Sequence, residues 1–266
     1  MTRVAMYVDG WNFYWALVDA GIKPYGWCDF PLLAKQQTLV PDAEVVVKYF
    51  TSADKPHEEK IADRQKPIWW RALRLIGCHI VEGEFRSTRE EVEDQIRFGN
   101  KTWREKQTDI ALASHMVSDC SRIEPGAQPG EFRWMAGYDR AVLLTQDTDF
   151  IPMVRIVSGE PFNRPVLVLL PPSGAVAQEN AYRAWDQGAK GTRVVIKQLQ
   201  LPDLARALLP RIVEGPGGQK VVCHQSWMSR ERHESLRAMT PKPKPTPSQG
   251  FARSKKAPPG AGRDRS

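Results

Sequence analysis

The chain has 266 residues, with 38 Lys and Arg against 31 Asp and Glu, and therefore a formal net charge of +7. Its 41% hydrophobic and 26% charged residues are typical of a globular protein and exclude collagen, coiled coil and wholesale disorder. No apolar run approaches the ~20 residues that a membrane-spanning helix needs. The four cysteines include no CxxC pair, which argues against a zinc ribbon or a secreted disulfide scaffold. We therefore expect a cytoplasmic protein with no membrane partner.

The predicted elements alternate along the chain between apolar runs and helical patterns. Strands are predicted at 4–8, 43–52, 78–85, 141–145, 165–170 and 193–196. Helices are predicted at 12–20, 57–76 (kinked or divided by Pro67), 106–118, 150–157 and 175–187. Because the strands are almost continuously apolar and helices separate them, the pattern predicts an α/β fold with a mainly parallel sheet covered on both faces.

The positive charge is concentrated near the C-terminus. Residues 215–266 hold eleven Lys and Arg against three Asp and Glu, whereas residues 1–214 have a net charge of −1. Residues 241–266 are rich in Pro, Lys and Arg and poor in aliphatic residues, so they cannot bury enough apolar surface to offset their ordering entropy. We predict a folded domain over 1–214, an undecided extension over 215–240 and a disordered basic tail over 241–266. The tail either contacts nucleic-acid phosphates or only solubilises the protein.

Acidic residues follow two of the predicted strands. Asp9 ends the first strand, Asp147 and Asp149 follow the fourth, and Asp109 lies in the first turn of a helix. Ligands of open α/β sheets bind beyond the carboxyl ends of the strands. Because an unpaired buried carboxylate is costly, a divalent cation explains such a group of acids, and oxygen ligands suit Mg²⁺ or Mn²⁺.

Each acid also has a purely structural interpretation. Asp149 is a candidate helix N-cap, and Asp9 with Gly10 is a candidate turn. Taken singly, these interpretations explain the residues about as well as a metal site does. Taken together, they explain less well why several acids share the ligand-binding edge of one sheet.

Three blocks of sequence resemble the NYN-domain family of PIN-like, metal-dependent ribonucleases. They are Tyr-Val-Asp-Gly-Trp-Asn at 7–12, Lys-Gln-Thr-Asp-Ile-Ala-Leu at 106–112, and Leu-Thr-Gln-Asp-Thr-Asp-Phe-Ile-Pro at 144–152. The blocks occur in family order, and the resemblance covers about residues 1–200. It implies a PIN-like α/β/α three-layer sandwich, an acidic Mg²⁺ or Mn²⁺ site, and hydrolysis of RNA phosphodiester bonds. The family's functional positions fall on Asp9, Asn12, Asp109, Asp147 and Asp149.

Two positions depart from the family pattern. The last block normally opens with a small hydroxyl residue and Gly, but here it reads Thr145-Gln146, which keeps the hydroxyl and adds bulk. Many members carry a second acid six residues into the helix, where this chain has His115. His115 is open to three interpretations: a phosphate partner, a weak metal ligand, or an ordinary interior or surface histidine. The change puts a second metal ion in doubt.

The resulting hypothesis is a metal-dependent ribonuclease. Asp9, Asp147 and Asp109 hold the ion directly or through water, Asp149 assists them, and the ion activates a water for in-line attack. The neutral side chains of Asn12 and Thr145 position that water or a phosphate oxygen. RNA is the predicted partner: its bases stack on Trp11, and the candidate rim cations are Lys101, Arg104 and Lys106. A solvated charged loop explains each of these cations equally well.

Two other functions compete with this hypothesis. A phosphatase of the haloacid-dehalogenase type is suggested by Asp147-Thr148-Asp149, but its motif belongs early in the chain, with Thr or Val where this sequence has Ile151. A non-catalytic PIN-like module that binds RNA or protein is the stronger alternative. Homo-oligomerisation is also left open.

Overall fold

We describe a computed structural model of the protein, which covers residues 1–52, 65–86, 104–125, 132–172, 180–184, 193–224 and 227. Its centre is a seven-stranded sheet in the order β4-β3-β2-β1-β7-β8-β9. These strands are β1 (Arg3–Asp9), β2 (Glu44–Ser52), β3 (His79–Arg86), β4 (Arg104–Lys106), β7 (Arg140–Leu144), β8 (Val166–Leu170) and β9 (Val194–Gln198). Only the edge strand β4 runs antiparallel to its neighbour. The predicted α/β class with a mainly parallel sheet is confirmed.

Helices cover both faces of the sheet. They are α1 (Gly10–Asp19), α2 (Phe30–Thr38), α3 (Gln65–Leu75), α4 (Thr108–Ser118), α5 (Ile151–Ser158) and α6 (Leu201–Arg206). Helices α1, α2, α3 and α6 pack on one face, and α4 and α5 pack on the other. Strand β1 is apolar throughout because both of its faces are covered. Met6 and Val8 enter the core on the first face, and Ala5 and Tyr7 enter the core on the second.

The register of the parallel strands brings their carboxyl ends to the same end of the sheet. Asp9, the last residue of β1, is paired with Phe50 of β2, and Val8 is paired with Leu144 of β7. The residues that follow Leu144 therefore emerge beside Asp9. This alignment sets the position of the candidate site.

Two hairpins and two helices lie outside the predicted pattern. Strands β5 (Ser121–Pro125) and β6 (Phe132–Ala136) form one antiparallel pair, and β10 (Ile212–Glu214) and β11 (Lys220–Val222) form the other. Helices α2 and α6 were also not predicted. The proposed boundary at residue 214 falls inside the second hairpin. Beyond it, Val221, Cys223 and Trp227 are buried in the first core, so this part of the extension packs on the domain.

Several predicted boundaries shift in the structure. The helix predicted over 57–76 appears as α3, and residues 57–64 lie outside the described residues. Pro67 stands in the first turn of α3, where a proline costs no helical hydrogen bond. The helix predicted from residue 106 begins at Thr108, because Gln107 adopts a positive φ of 83° after β4. Of the helix predicted over 175–187, residues 180–184 are described and are helical. The tail over 241–266 lies outside the described residues.

In the described ranges, none of the helices combines the length and the apolar character that a membrane crossing requires. All four cysteines are free and buried.

Candidate functional site

Asp9 is the centre of the candidate site. It ends β1 and caps α1, and its side chain is 5% exposed. One carboxylate oxygen accepts the Asn12 backbone N–H at 3.1 Å, and the other accepts the Thr145 hydroxyl at 3.0 Å. The pKa of the Asp9 carboxyl is raised to about 7. Burial is the main cause, the charges of Asp109 and Asp147 add to it, and the two hydrogen bonds act in the opposite direction. Asp9 therefore changes its protonation state near neutral pH.

A polar network ties the end of β7 to the start of α1. Thr145 is fully buried, and its hydroxyl oxygen accepts the Asp147 backbone N–H at 3.0 Å while its proton goes to Asp9. The Asn12 side-chain oxygen accepts the Gln146 backbone N–H at 2.9 Å. Asn12 and Thr145 thus fix the two loops relative to each other. In this structure the side chains of Asn12 and Thr145 form hydrogen bonds with protein groups, and these bonds set the shape of the site.

The other three predicted acids lie around Asp9. Asp109, in the first turn of α4, is exposed as a residue. Partial burial of its carboxyl and the charges of Asp147 and Asp149 nevertheless raise its pKa. Asp147 is half-buried, and its carboxylate accepts the Asp149 backbone N–H at 2.9 Å. Asp109 therefore lies within electrostatic reach of Asp9, Asp147 and Asp149.

Capping explains part of this acidic group. Asp9 caps α1, and Asp147 caps the short 3₁₀ turn over Thr148–Phe150. The N-cap role that the sequence suggested for Asp149 is therefore filled by Asp147, two residues earlier. Both capping side chains already use carboxylate oxygens to accept backbone N–H groups.

Two further side chains shape the site and were not predicted. The Tyr182 hydroxyl donates to the Asp147 carbonyl at 2.6 Å, and burial together with the charges of Asp147 and Asp9 raises the pKa of this phenol. Ser52, at the end of β2, accepts the indole N–H of Trp11. The only sequence signal for either residue was its place in a predicted element, because neither belongs to a motif.

The predicted nucleic-acid residues are placed only in part. Trp11 lies in the first turn of α1, and its ring stacks on that of Trp15 with a centroid distance of 6.2 Å. Arg104 and Lys106 are the first and last residues of β4, and Lys101 lies outside the described residues. His115 lies far along α4, where its ring contacts Phe50 and Lys48. It is a partly buried histidine in a hydrogen-bonded cluster with Lys48 and Asp119.

The predicted metal site is wrong. Within the ranges that the structure describes, no three His, Cys, Asp or Glu side chains are grouped so that they could hold a metal ion. Asp9 and Asp147 each direct one carboxylate oxygen at a backbone N–H group of their own turns, so these oxygens serve as helix caps. The roles of Asp9, Asp109, Asp147 and Asp149 as Mg²⁺ or Mn²⁺ ligands are withdrawn with it.

Comparison with known proteins relates the chain to a curated monooxygenase. No family model matches the chain, and no solved structure matches it. The chain is similar to the curated protein 6-hydroxy-3-succinoylpyridine 3-monooxygenase HspA of Pseudomonas putida (strain DSM 28022 / S16), with 23% identity. The similarity covers 85% of this chain and 75% of that protein.

This similarity overturns the predicted activity. A monooxygenase is an oxidoreductase, so the hypothesis of a metal-dependent, PIN-like ribonuclease is wrong, as are the hydrolase and nuclease classes and the Mg²⁺ or Mn²⁺ cofactor. The same finding argues against the alternative of a non-catalytic module. The resemblance to the NYN-domain family, the RNA partner and homo-oligomerisation stay predictions. So does the importance of the predicted site residues, since the comparisons do not assign a role to any of them.

Proposed function

We propose that the chain is an oxidoreductase that inserts one oxygen atom of O₂ into a small hydroxylated aromatic ring. The observation that carries the proposal is the similarity over 85% of the chain to a protein named as a pyridine monooxygenase. A substrate position beyond the carboxyl ends of β1 and β7 is supported by the general rule that ligands of open α/β sheets bind there. The free cysteines fit the cytoplasmic location that we also propose.

The reaction needs two electrons from outside the substrate. One atom of O₂ is inserted into a bond of a ring carbon, and the other leaves as water after taking two electrons and two protons. A reduced nicotinamide or a reduced flavin is the class of donor that supplies the electrons. The residues of this chain must therefore bind the aromatic ring and remove the proton of its hydroxyl group.

Asp9 is suited to remove that proton. Deprotonation of a ring hydroxyl raises the electron density on the neighbouring ring carbons, which favours their attack on an electrophilic oxygen. A general base works best when its pKa lies near the working pH, and burial brings the Asp9 carboxyl to about 7. The hydrogen bonds from Asn12 and Thr145 hold this carboxylate in a fixed orientation.

The described part of the crevice does not fit a dinucleotide donor. Phosphates of such donors bind at helix N-termini through glycine-rich turns. At the N-terminus of α1 the Asp9 carboxylate caps the helix, and it would repel a phosphate. We therefore derive no step through a nucleotide at this turn.

The proposal is tested with isotopically labelled O₂. The full chain is incubated with 6-hydroxy-3-succinoylpyridine, NADH and FAD, and the product is examined by mass spectrometry. We expect incorporation of one labelled oxygen atom per product molecule. Asp9→Asn should lower the rate by about 100-fold, because it removes the base and keeps the shape of the side chain.

Asp29→Asn is the matched control for this variant. Asp29 also caps a helix, with its carboxylate accepting the Leu32 backbone N–H at 2.8 Å, and burial also raises its pKa. Because Asp29 lies at the start of α2, its variant should keep the wild-type rate. The proposal fails if no labelled product forms from hydroxylated pyridines or phenols with either donor. The role of Asp9 fails if both variants have the same rate.

A further inference from the structure

A cavity of about 190 Å³ lies at the edge of the sheet opposite the candidate site. Its walls include Arg3 and Ala5 at the start of β1, Val46 and Lys48 in the first half of β2, and Asp119 just after α4. Strand β1 starts at Arg3 and ends at Asp9, so the cavity and the acidic crevice are separated by the length of the strand. The oxygenation proposed above makes no use of this cavity.

Lys48 is held in the wall of this cavity by fixed partners. Its ammonium contacts Nδ1 of His115 at 3.0 Å and forms an ion pair with the Asp119 carboxylate, and its side chain is 20% exposed. An ammonium group has three N–H donors, and these two contacts use two of them. Within the part of the chain that the structure describes, these are the polar contacts of the ammonium, which leaves the third donor for a ligand that enters the cavity.

The partners of Lys48 are themselves fixed. Asp119 accepts a second hydrogen bond at 2.9 Å from the hydroxyl of Tyr7, which is fully buried. Burial and the charge of Lys48 lower the pKa of His115, so its imidazole is neutral at neutral pH and its Nδ1 accepts from the lysine. The cation is therefore pre-organised, and an acceptor bound to it does not have to order a flexible side chain.

The rest of the wall is partly apolar. Val4, Ala5 and Val46 line it, and Val46 is 38% exposed at this face of β2. An apolar cavity of about 150 Å³ engineered into another protein binds benzene, so the volume here accommodates a six-membered ring with one small substituent. A cation beside an apolar wall suits a ligand that has an anionic end and an apolar body.

We propose that this cavity is a binding site for a small organic acid, with its carboxylate on the Lys48 ammonium and its apolar body against Ala5 and Val46. Arg3 and the exposed residue Glu44 also line the cavity. The Asp119 carboxylate is engaged by Lys48 and Tyr7. The site goes beyond the proposed oxygenation and does not depend on it.

The test uses benzoate as the probe and methyl NMR as the measurement. Titration of the full chain with sodium benzoate at constant ionic strength should shift the methyl signals of Ala5 and Val46 in a saturable way. The methyl signals of Val195, which is exposed on β9, should not move. Benzyl alcohol and inorganic phosphate should each bind at least ~10-fold more weakly, because one lacks the charge and the other lacks the apolar body.

Three variants separate the site from general anion binding. Lys48→Met keeps the aliphatic stem, removes the charge, and should weaken benzoate binding at least ~10-fold. Lys220→Met is the matched control, since Lys220 pairs with Glu214 on an exposed hairpin, and it should bind as the wild type does. Val46→Phe fills the cavity without touching the polar contacts and should abolish binding.

The outcomes decide the proposal in either direction. Shifts that do not saturate, equal binding of benzoate and phosphate, or equal binding of benzoate and benzyl alcohol would each overturn it. Wild-type affinity in the folded Lys48→Met variant or in Val46→Phe would overturn it as well. If Lys48→Met does not fold, Val46→Phe decides alone.

Discussion

Asp9 gives the protein a stability that depends on pH. Its pKa is 3.8 in an unfolded chain and about 7 in the folded protein, so the folded state binds the proton more tightly. The free energy of unfolding should therefore be highest below pH 4 as far as Asp9 is concerned, and it should fall as the pH rises to about 7. The loss should be about 2–4 kcal/mol. Urea denaturation at intervals between pH 4 and pH 8 measures it.

Asp9→Asn provides the comparison for this pH dependence. The amide keeps an oxygen for the Asn12 N–H and has no charge to bury, so the variant should gain stability relative to the wild type as the pH rises. The difference between the two proteins isolates Asp9 from Asp29 and Asp109, whose pKa values are raised in the same direction. Parallel curves for the two proteins would show that Asp9 does not titrate near neutral pH.

A second prediction at the scale of one residue concerns the Tyr182 hydroxyl. Tyr182→Phe removes the 2.6 Å hydrogen bond to the Asp147 carbonyl and should cost about 1–2 kcal/mol of stability. It should also lower the oxygenation rate, because Asp147 and Thr145 lose a contact that holds their loop. Urea denaturation and the labelled-oxygen assay measure the two effects.

Tyr138→Phe separates stability from activity in this experiment. The Tyr138 hydroxyl donates to the Met116 carbonyl at 3.0 Å beside the start of β1, away from Asp9, so its loss should cost a similar free energy and leave the oxygenation rate unchanged. An unchanged rate in Tyr182→Phe would assign that hydroxyl to stability alone.

At the scale of elements, burial decided which parts of the fold could be predicted. Strands β1, β7 and β8 are buried on both faces, so their sequences are apolar runs that mark a parallel sheet. Strand β4 has three residues at the sheet edge, and such a short segment carries no apolar pattern. Helix α2 did carry a readable signal, since Asp29 caps it and a proline follows in its first turn.

The turn between β1 and α1 is crowded, and Gly10→Ala tests how closely it packs. An added Cβ would lie 2.5 Å from the Tyr49 ring and 2.6 Å from the Phe50 carbonyl oxygen. The β1–α1 turn and strand β2 must therefore move apart to accept it. The variant should lose about 2–3 kcal/mol of stability, measured by urea denaturation.

Gly21→Ala distinguishes crowding from backbone strain. Gly21 has a positive φ of 68° and open space around its Cβ position, so its variant should lose only about 1 kcal/mol. A smaller loss in Gly10→Ala than in Gly21→Ala would show that the β1–α1 turn adjusts without cost.

At the scale of the whole molecule, the sequence predicted where the acids meet but not their chemistry. The ends of two apolar strands were sufficient to predict that Asp9 lies near Asp147 and Asp149, whereas Asp109 comes from the first turn of a helix. Which carboxylate oxygens are free depends on the local backbone, and Asp9 and Asp147 use theirs as caps. Sequence patterns do not contain that information. A group of acids therefore suggested a metal site where the structure has a capped turn and a carboxyl of raised pKa.

The extension beyond residue 214 belongs to the folded core, and truncation tests this. Trp227 is 4% exposed and its ring stacks on that of Trp69 with a centroid distance of 5.7 Å, while Val221 and Cys223 are buried beside it. A chain that ends at residue 214 loses these contacts and one strand of the β10–β11 hairpin. It should lose at least ~3–5 kcal/mol of stability, about the cost of truncating one buried tryptophan, measured as a lower midpoint in thermal denaturation.

A chain that ends at residue 240 is the control for this truncation, because it removes only the basic tail and keeps every contact named above. Its midpoint should stay within a few degrees of that of the full chain. Single substitutions refine the comparison: Trp227→Ala should reproduce most of the loss, whereas Trp15→Ala should cost much less, since Trp15 is 50% exposed. Equal midpoints for the chains ending at 214 and 240 would show that the domain is complete without the hairpin and Trp227.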